Sequence, residues 1–257
     1  ISCARHMSLA FCCQAPVAEK ASELMPEEMA VAGGRVLKTV VFMGSARNVQ
    51  PPWGGDLRLG DRVLKHVMST LKDRKEKIGD ETITHDVTVF DPLEVFGQGG
   101  PLEGDAHCEA PHFFLKDGDE RKTRMEAMRA AIKAADAYII VTAEYNHSAP
   151  PALLSMMDHF GGSNYAHKAS AIVTYSMGPW GGARASMQLQ PFLHELGCLP
   201  VSKMVGFPSA GDMFDEAGLP KDPSHRMLKQ LPAMLTDLEW VATAFAKMKE
   251  TVGPPKF

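Results

Sequence analysis

The residues best suited to chemistry fall in three short polar loops, each directly after an apolar run. The first is Gly44-Ser45-Ala46-Arg47-Asn48, following Lys38-Thr39-Val40-Val41-Phe42-Met43. It offers a glycine for tight backbone geometry, a hydroxyl and a guanidinium, and the helical pattern Val63, Leu64, Val67, Met68, Leu71 comes soon after. A strand, a small-polar loop and a helix N-terminus together suit a bound phosphate. Taken alone, the loop fits an ordinary strand–helix turn equally well. It matches neither the Walker pattern nor the dinucleotide fingerprint. The second loop is Ala143-Glu144-Tyr145-Asn146-His147-Ser148-Ala149-Pro150-Pro151, and the third is Ser176-Met177-Gly178-Pro179-Trp180-Gly181-Gly182-Ala183-Arg184-Ala185. These loops hold no nucleophile elbow, no paired carboxylates and no metal-ligand spacing, so they lack what hydrolysis needs. Such a site suits a cofactor that carries the reaction itself, with the protein giving backbone hydrogen bonds and shape.

The elements that must position these loops read as a regular alternation. Strand candidates at 39–43, 86–90, 137–142, 170–175 and 200–205 are interleaved with amphipathic stretches at about 57–78, 123–135, 151–160, 182–197 and 224–249. Val40-Val41-Phe42-Met43 is continuously apolar, as a strand buried on both faces requires. Pro232 in the last stretch implies a later helix start or a kink. Strict alternation predicts an α/β fold with a doubly wound parallel sheet. Five strands make the flavodoxin-like order 2-1-3-4-5 the leading arrangement, with its ligand crevice where strands one, three and four end. The three loops would therefore converge on one site. Two stretches stand outside this skeleton. Residues 50–60 lengthen the first loop, and residues 93–121 form an insertion of the length often found in lids and binding loops.

Composition narrows the partners. At 257 residues, with 45% apolar and 23% charged residues, the chain suits one α/β domain with additions or at most two small domains. A net charge of −4 gives no support for nucleic acid or an anionic membrane. The five cysteines (Cys3, Cys12, Cys13, Cys108, Cys198) form no Cys-x-x-Cys pair, which favours a reducing, cytoplasmic setting. His107-Cys108 with His112 looks metal-like, but the ligand spacing is poor, and no metal is expected. Residues 1–35 mix Cys, Ala, Glu and Met and read as a flexible leader, with a short helix over 19–32; the domain is expected over 36–252.

Three motifs then become recognisable: Gly44-Ser45-x-Arg47; Glu144-Tyr145-Asn146-x-Ser148 with Pro151-Ala152-Leu153 and Asp158; and Gly178-x-x-Gly181-Gly182-x-Arg184-Ala185. In order and in register over residues 38–205, they resemble the NAD(P)H-dependent FMN reductase family, which includes azoreductase-like and quinone- or chromate-reducing flavoproteins. The resemblance implies bound FMN, NADPH or NADH as co-substrate, and a small-molecule acceptor such as a quinone, an azo compound or free flavin. It implies that Gly44, Ser45, Arg47 and Asn48 hold the FMN phosphate. It likewise implies that Glu144, Tyr145 and Asn146 meet the flavin ring, and that Ser176, Gly178, Gly181 and Gly182 line its other edge. No side chain is expected to be catalytic, because the flavin carries the chemistry.

The resemblance further implies a homodimer or homotetramer, and helix 151–160 is the candidate interface. The chain departs from the family where Ala143 stands for a usual Pro, His147 for a frequent Gly and Leu154 for a frequent Lys. Arg58 is a candidate for closing over the phosphate, and Trp53 and Trp180 either flank the cofactor or pack in their loops. Two other readings are a flavodoxin-like electron carrier, with the acidic loop residues Glu103, Asp105, Glu109, Asp117, Asp119 and Glu120 in its favour, and a flavin-binding regulatory protein.

Overall fold

The computed structural model describes residues 33–48 and 58–255. The expected leader helix over 19–32 and most of the 50–60 segment lie outside the described residues. In chain order the elements are β1 (Gly34–Met43), α1 (Leu59–Lys72), β2 (Glu76–Ile78), β3 (Glu81–Phe90), α2 (Pro92–Val95), α3 (Glu120–Ala134), β4 (Ala137–Ala143) and α4 (Pro151–Asp158). There follow β5 (Lys168–Tyr175), α5 (Ala183–Glu195), β6 (Cys198–Pro200), β7 (Val205–Phe207), α6 (Ala210–Met213) and α7 (Gln230–Thr251).

The sheet runs β2-β3-β1-β4-β5-β6, with β7 also paired to β5. All pairs are parallel except β2–β3. The parallel strands thus keep the expected 2-1-3-4-5 order, with two refinements. The first is the antiparallel edge strand β2, joined to β3 by Gly79-Asp80 with Gly79 at φ 61°. That is the left-handed turn residue a two-residue hairpin demands. The second concerns the fifth strand, which is two short pieces rather than one run over 200–205. Pro200 has no amide for the ladder, and exposed Ser202 and Lys203 swing outward, where Lys203 pairs with Asp237 at 2.9 Å.

Strand alternation explains why the central strands lack polar faces. Val41, Ile139 and Val173 pack with Val63, Val67, Leu235 and Leu238 from α1 and α7. Val40, Phe42, Ile140 and Ile172 pack on the opposite side with Met125, Met128, Leu153 and Leu189 from α3, α4 and α5. Pro232 is the third residue of α7, within the first turn, where no intrahelical donor is needed.

The insertion is an ordered wrap over α4. Leu102 is buried and its amide donates to Val95 O at 2.9 Å; His112 N donates to His159 O, also at 2.9 Å. Asp105 takes the amides of Glu109 (2.6 Å) and Ala110 (2.9 Å) and faces His159 Nε2 at 3.2 Å. Burial opposes its charge, but these donors win and hold the carboxyl below its usual value. Leu153, Met156 and Met157 of α4 are therefore buried within the chain itself.

At the opposite end of the sheet, Lys168 closes α3. Its Nζ donates to the carbonyls of Ile132 and Lys133 (both 2.8 Å) and Asn164 (2.7 Å), and to the Tyr138 hydroxyl at 2.9 Å. Burial, with a smaller effect from Lys249, pushes this amine down to about 7 from 10.5. Between those values the unfolded chain binds more protons, so this group makes stability rise with pH across that window. Lys168→Met should cost about 1–3 kcal/mol by orphaning buried acceptors. Urea unfolding at pH 7 and pH 9.5 should also show a smaller pH-dependent gain in the variant than in the parent.

Candidate active site

The strands β1, β4 and β5 deliver the three polar loops to one edge of the sheet. Gly44 crosses the end of β4, its amide donating to Val141 O at 2.9 Å. A Cβ here would stand 2.0 Å from Thr142 Oγ1, so only glycine fits. Ser45 is buried and its Oγ lies 2.7 Å from the Tyr145 phenol oxygen, which ties the first loop to the second. Arg47 and Asn48 are exposed, and the Arg47 guanidinium lies 3.9 Å from the centre of the Tyr145 ring. Among the described residues, the amides of Ser45, Ala46, Arg47 and Asn48 have no hydrogen-bond partner.

Arg58 holds this loop from behind rather than presenting its charge to the crevice. Nη1 donates to Ser45 O at 2.6 Å, Nε to Asp61 at 2.6 Å, and Nη2 to Asp91. Asp91 in turn caps α2 by accepting Leu93 N at 2.9 Å. The sequence carried a faint sign of this in Asp91-Pro92, a helix-start pair, but nothing that linked it to Arg58.

The second loop is a tight reversal. Tyr145 N donates to Ser148 O at 2.9 Å and Ser148 N returns to Tyr145 O at 3.0 Å. Asn146 and His147 have φ of 49° and 66°, the paired left-handed residues of a type I′ turn. This geometry explains a preference for Gly at position 147, and histidine there costs about 1–2 kcal/mol of backbone strain. The Asn146 and His147 amides have no partner among the described residues, whereas the Glu144 amide is spent on Tyr175 O at 3.3 Å. The Glu144 carboxylate is also spent. It accepts from Arg184 N (2.9 Å), Ala185 N (3.4 Å) and Arg184 Nη1 (3.2 Å), sitting on the positive N-terminus of α5.

In the third loop Gly181 and Gly182 have φ of 60° and 79°. A Cβ on Gly182 would come within 2.7 Å of Thr174 Cβ, and one on Gly181 within 3.0 Å of the Gly206 carbonyl carbon. Thr174 Oγ1 donates to Gly181 O at 2.7 Å, and Ser176 Oγ to Gly178 O at 2.8 Å. A Cβ on Gly178 would meet nothing within 4 Å, so the loop is open on that side. The amides of Gly178, Gly181 and Gly182 have no partner among the described residues. Tyr175 packs beneath, its phenol pushed up by burial while the nearby Ser45 hydroxyl works the other way.

The eleven residues expected to hold a cofactor thus lie on three loops at one sheet edge. The metal-like histidines and cysteine lie elsewhere: His112 pairs with Glu126 at 3.3 Å. Burial first, then Asp158 and Asp105, pushes the Cys108 thiol up to about 11. Partner-free amides in all three loops, with an open glycine on the third, suit an anionic, flat ligand such as FMN.

A parallel α/β sheet with its polar loops gathered at the carboxyl edge defines a flavodoxin-like nucleotide-binding protein. Residues 37–212 match the model of the NADPH-dependent FMN reductase family, and the chain belongs to that family of FMN-dependent, NAD(P)H-using oxidoreductases. It is 26% identical over 126 residues to an NADPH azoreductase of Bacillus sp. (strain OY1-2), covering 48% of this chain and 71% of that protein. It is 34% identical over 107 residues to a quinone reductase of Escherichia coli (strain K12), covering 37% of this chain and only 57% of the relative. In fold it resembles FerB, a flavoenzyme NAD(P)H:(acceptor) oxidoreductase from Paracoccus denitrificans, with a TM-score of 0.56 at 18% identity over 80% of this chain and 98% of that one.

Arg58 and Asp91 have side chains only 8% and 15% exposed. Arg58→Ala should therefore destabilise by about 3–5 kcal/mol, because it strands a buried carboxylate. Adding Asp91→Ala should cost less than the sum of the single changes, as a double-mutant cycle in urea would register.

Proposed function

We propose that the chain is an NAD(P)H:acceptor oxidoreductase whose FMN lies across the three loops, and whose acceptor is a quinone, an azo compound, a flavin or a similar small molecule. The observation that supports this reading is the set of amides in all three loops that have no partner among the described residues. When bound, FMN supplies the ring that accepts hydride and passes electrons on. In this reading the amides of residues 45–48 and the Ser45 hydroxyl take the phosphate, with Arg47 adding charge. Asn146 and His147 offer amides to the ring from one side, and Gly178, Gly181 and Gly182 from the other. Tyr145 braces the phosphate loop through Ser45. Glu144 acts at one remove, fixing α5 to the second loop. No side chain is given a proton to carry.

Arg47 must leave the Tyr145 ring to reach a phosphate. A cation–π stack at an exposed site is worth about 0.5–1 kcal/mol, whereas a charge-assisted hydrogen bond contributes about 1.5–3 kcal/mol. The exchange therefore favours the phosphate. The azoreductase and the quinone reductase among its relatives make azo and quinone acceptors the first to try. A homodimer or homotetramer belongs to the same proposal, to be read by light scattering.

Two measurements test the reading. The pure anaerobic protein should show an oxidised flavin spectrum that bleaches on adding NADPH or NADH; a spectrum unmoved by both would leave an electron carrier instead. Arg47→Ala should weaken FMN binding roughly five- to tenfold while hardly changing riboflavin binding, followed by flavin fluorescence. Equal FMN affinity in the variant would remove the phosphate from this loop.

A further inference from the structure

We infer that Trp180, with Met177 beside it, is the apolar wall against which a planar aromatic acceptor stacks at the mouth of the crevice. The inference rests on the flavin-reductase reading above and adds to it the residues that choose the acceptor.

Large apolar side chains exposed singly are ordinary on a protein surface. These two share one short loop. Trp180 is 66% exposed and Met177 is 54% exposed, three positions apart on the loop whose glycines line the proposed flavin site. The tryptophan does not pack in its own loop, because most of its surface meets solvent.

The backbone beneath it is held on both sides. Gly178 O accepts from Ser209 N at 2.9 Å and from Ser176 Oγ at 2.8 Å; Trp180 O accepts from Ala183 N at 3.2 Å. The ring itself is steadied by Arg184, whose guanidinium carbon lies 5.4 Å from its centre. Arg184 is fixed in turn by Glu144 at 3.2 Å. An indole held this way loses little freedom when a ligand lies on it, so the contact energy is not spent on ordering the side chain.

The chemistry of the two side chains selects the ligand. An indole face stacks with a flat π system in offset geometry, and a thioether adds a favourable contact at a ring edge. Quinones, azo arenes and free flavins share such a face. An inorganic acceptor such as ferricyanide has none and gains nothing from this wall. Gly178, open on its Cβ side, keeps the space beside the wall clear.

The test uses the holoenzyme and its Trp180→Ala, Trp180→Phe and Met177→Ala variants. Steady-state rates with 1,4-naphthoquinone and with ferricyanide give two specificity constants for each protein. In Trp180→Ala the naphthoquinone-to-ferricyanide ratio should fall roughly tenfold, carried by KM for the quinone. Trp180→Phe should retain most of the ratio, and Met177→Ala, which leaves the indole in place, should lower it less. Without nicotinamide, titrating oxidised holoenzyme with naphthoquinone should quench tryptophan emission saturably, and Trp180→Phe should lose that quench.

A ratio unchanged in Trp180→Ala, with both acceptors slowed alike, overturns the inference and leaves a structural residue. An unchanged ratio together with a lower mass in light scattering overturns it in favour of a subunit contact. If the parent protein's flavin does not bleach with either nicotinamide, the underlying reading fails and takes this one with it. Normal bleaching with an unchanged ratio sinks the acceptor wall alone.

Discussion

The carboxyl edge of the sheet depends on one row of close contacts in which glycine backbone lies against threonine side chains. Thr142 and Thr174 are register partners on β4 and β5, and Thr174 is in turn opposite Gly206 on β7. Gly44 lies against Thr142, and Gly182 against Thr174, each too close to admit a Cβ. The row sets how far apart the first and third loops stand, because the first loop leaves β1 at Gly44 and the third returns to β5 at Gly182 before α5 begins. Any side chain larger than hydrogen at either glycine would push a loop off the sheet. The amides left without partners therefore owe their positions to the packing of the strands below, not to the loop sequences alone.

Charge at this edge is mostly consumed in holding the loops together. Arg58 is shared among a carbonyl and two aspartates, so it ties β1, α1 and the start of α2 into one corner. Glu144 is committed to the first turn of α5 and to Arg184. Among the described residues, what remains for a ligand is backbone, the Ser45 hydroxyl and two guanidinium–aromatic stacks, Arg47 on Tyr145 and Arg184 on Trp180. The stacks differ in commitment. Arg184 is also ion-paired to Glu144, whereas Arg47 is exposed and close to the amides proposed for the phosphate. One cation is therefore suited to steadying an aromatic ring and the other to moving onto an anion.

The sequence made the central strands legible because burial on both faces leaves no polar alternation to misread. Val40-Val41-Phe42-Met43 and the β4 and β5 runs could be little else. The fifth strand misled because its apolar run is interrupted by a proline and by two exposed residues, and periodicity over six positions cannot register such a break. The hairpin at Gly79-Asp80 carried a recognisable turn signal, but its flanking strand is only three residues long and polar. At the site, the gathering of the glycine- and hydroxyl-bearing loops at one sheet edge was readable, since it follows from strand order. The partners of Arg58 and Glu144 were not. Asp91 is 33 positions from Arg58 and Arg184 is 40 from Glu144, separations that carry no periodic signal.

The insertion illustrates the same limit from the other side. Its length suggests a lid, yet part of it is committed inward: Leu102 is buried, Asp105 meets His159, and His112 N meets His159 O, while Phe113 and Phe114 stay exposed. His159 ends the helix whose N-terminus begins at the second polar loop, so α4 is gripped at its far end by the insertion. The chain just ahead of its start is also held, where Gln188 Oε1 accepts Ala149 N at 2.7 Å. A helix fixed at both ends keeps the Tyr145–Ser148 reversal from drifting, and the strained His147 persists because its surroundings over-determine it. The insertion therefore meets α4 at its far end, through His159, and not at the end beside the second loop.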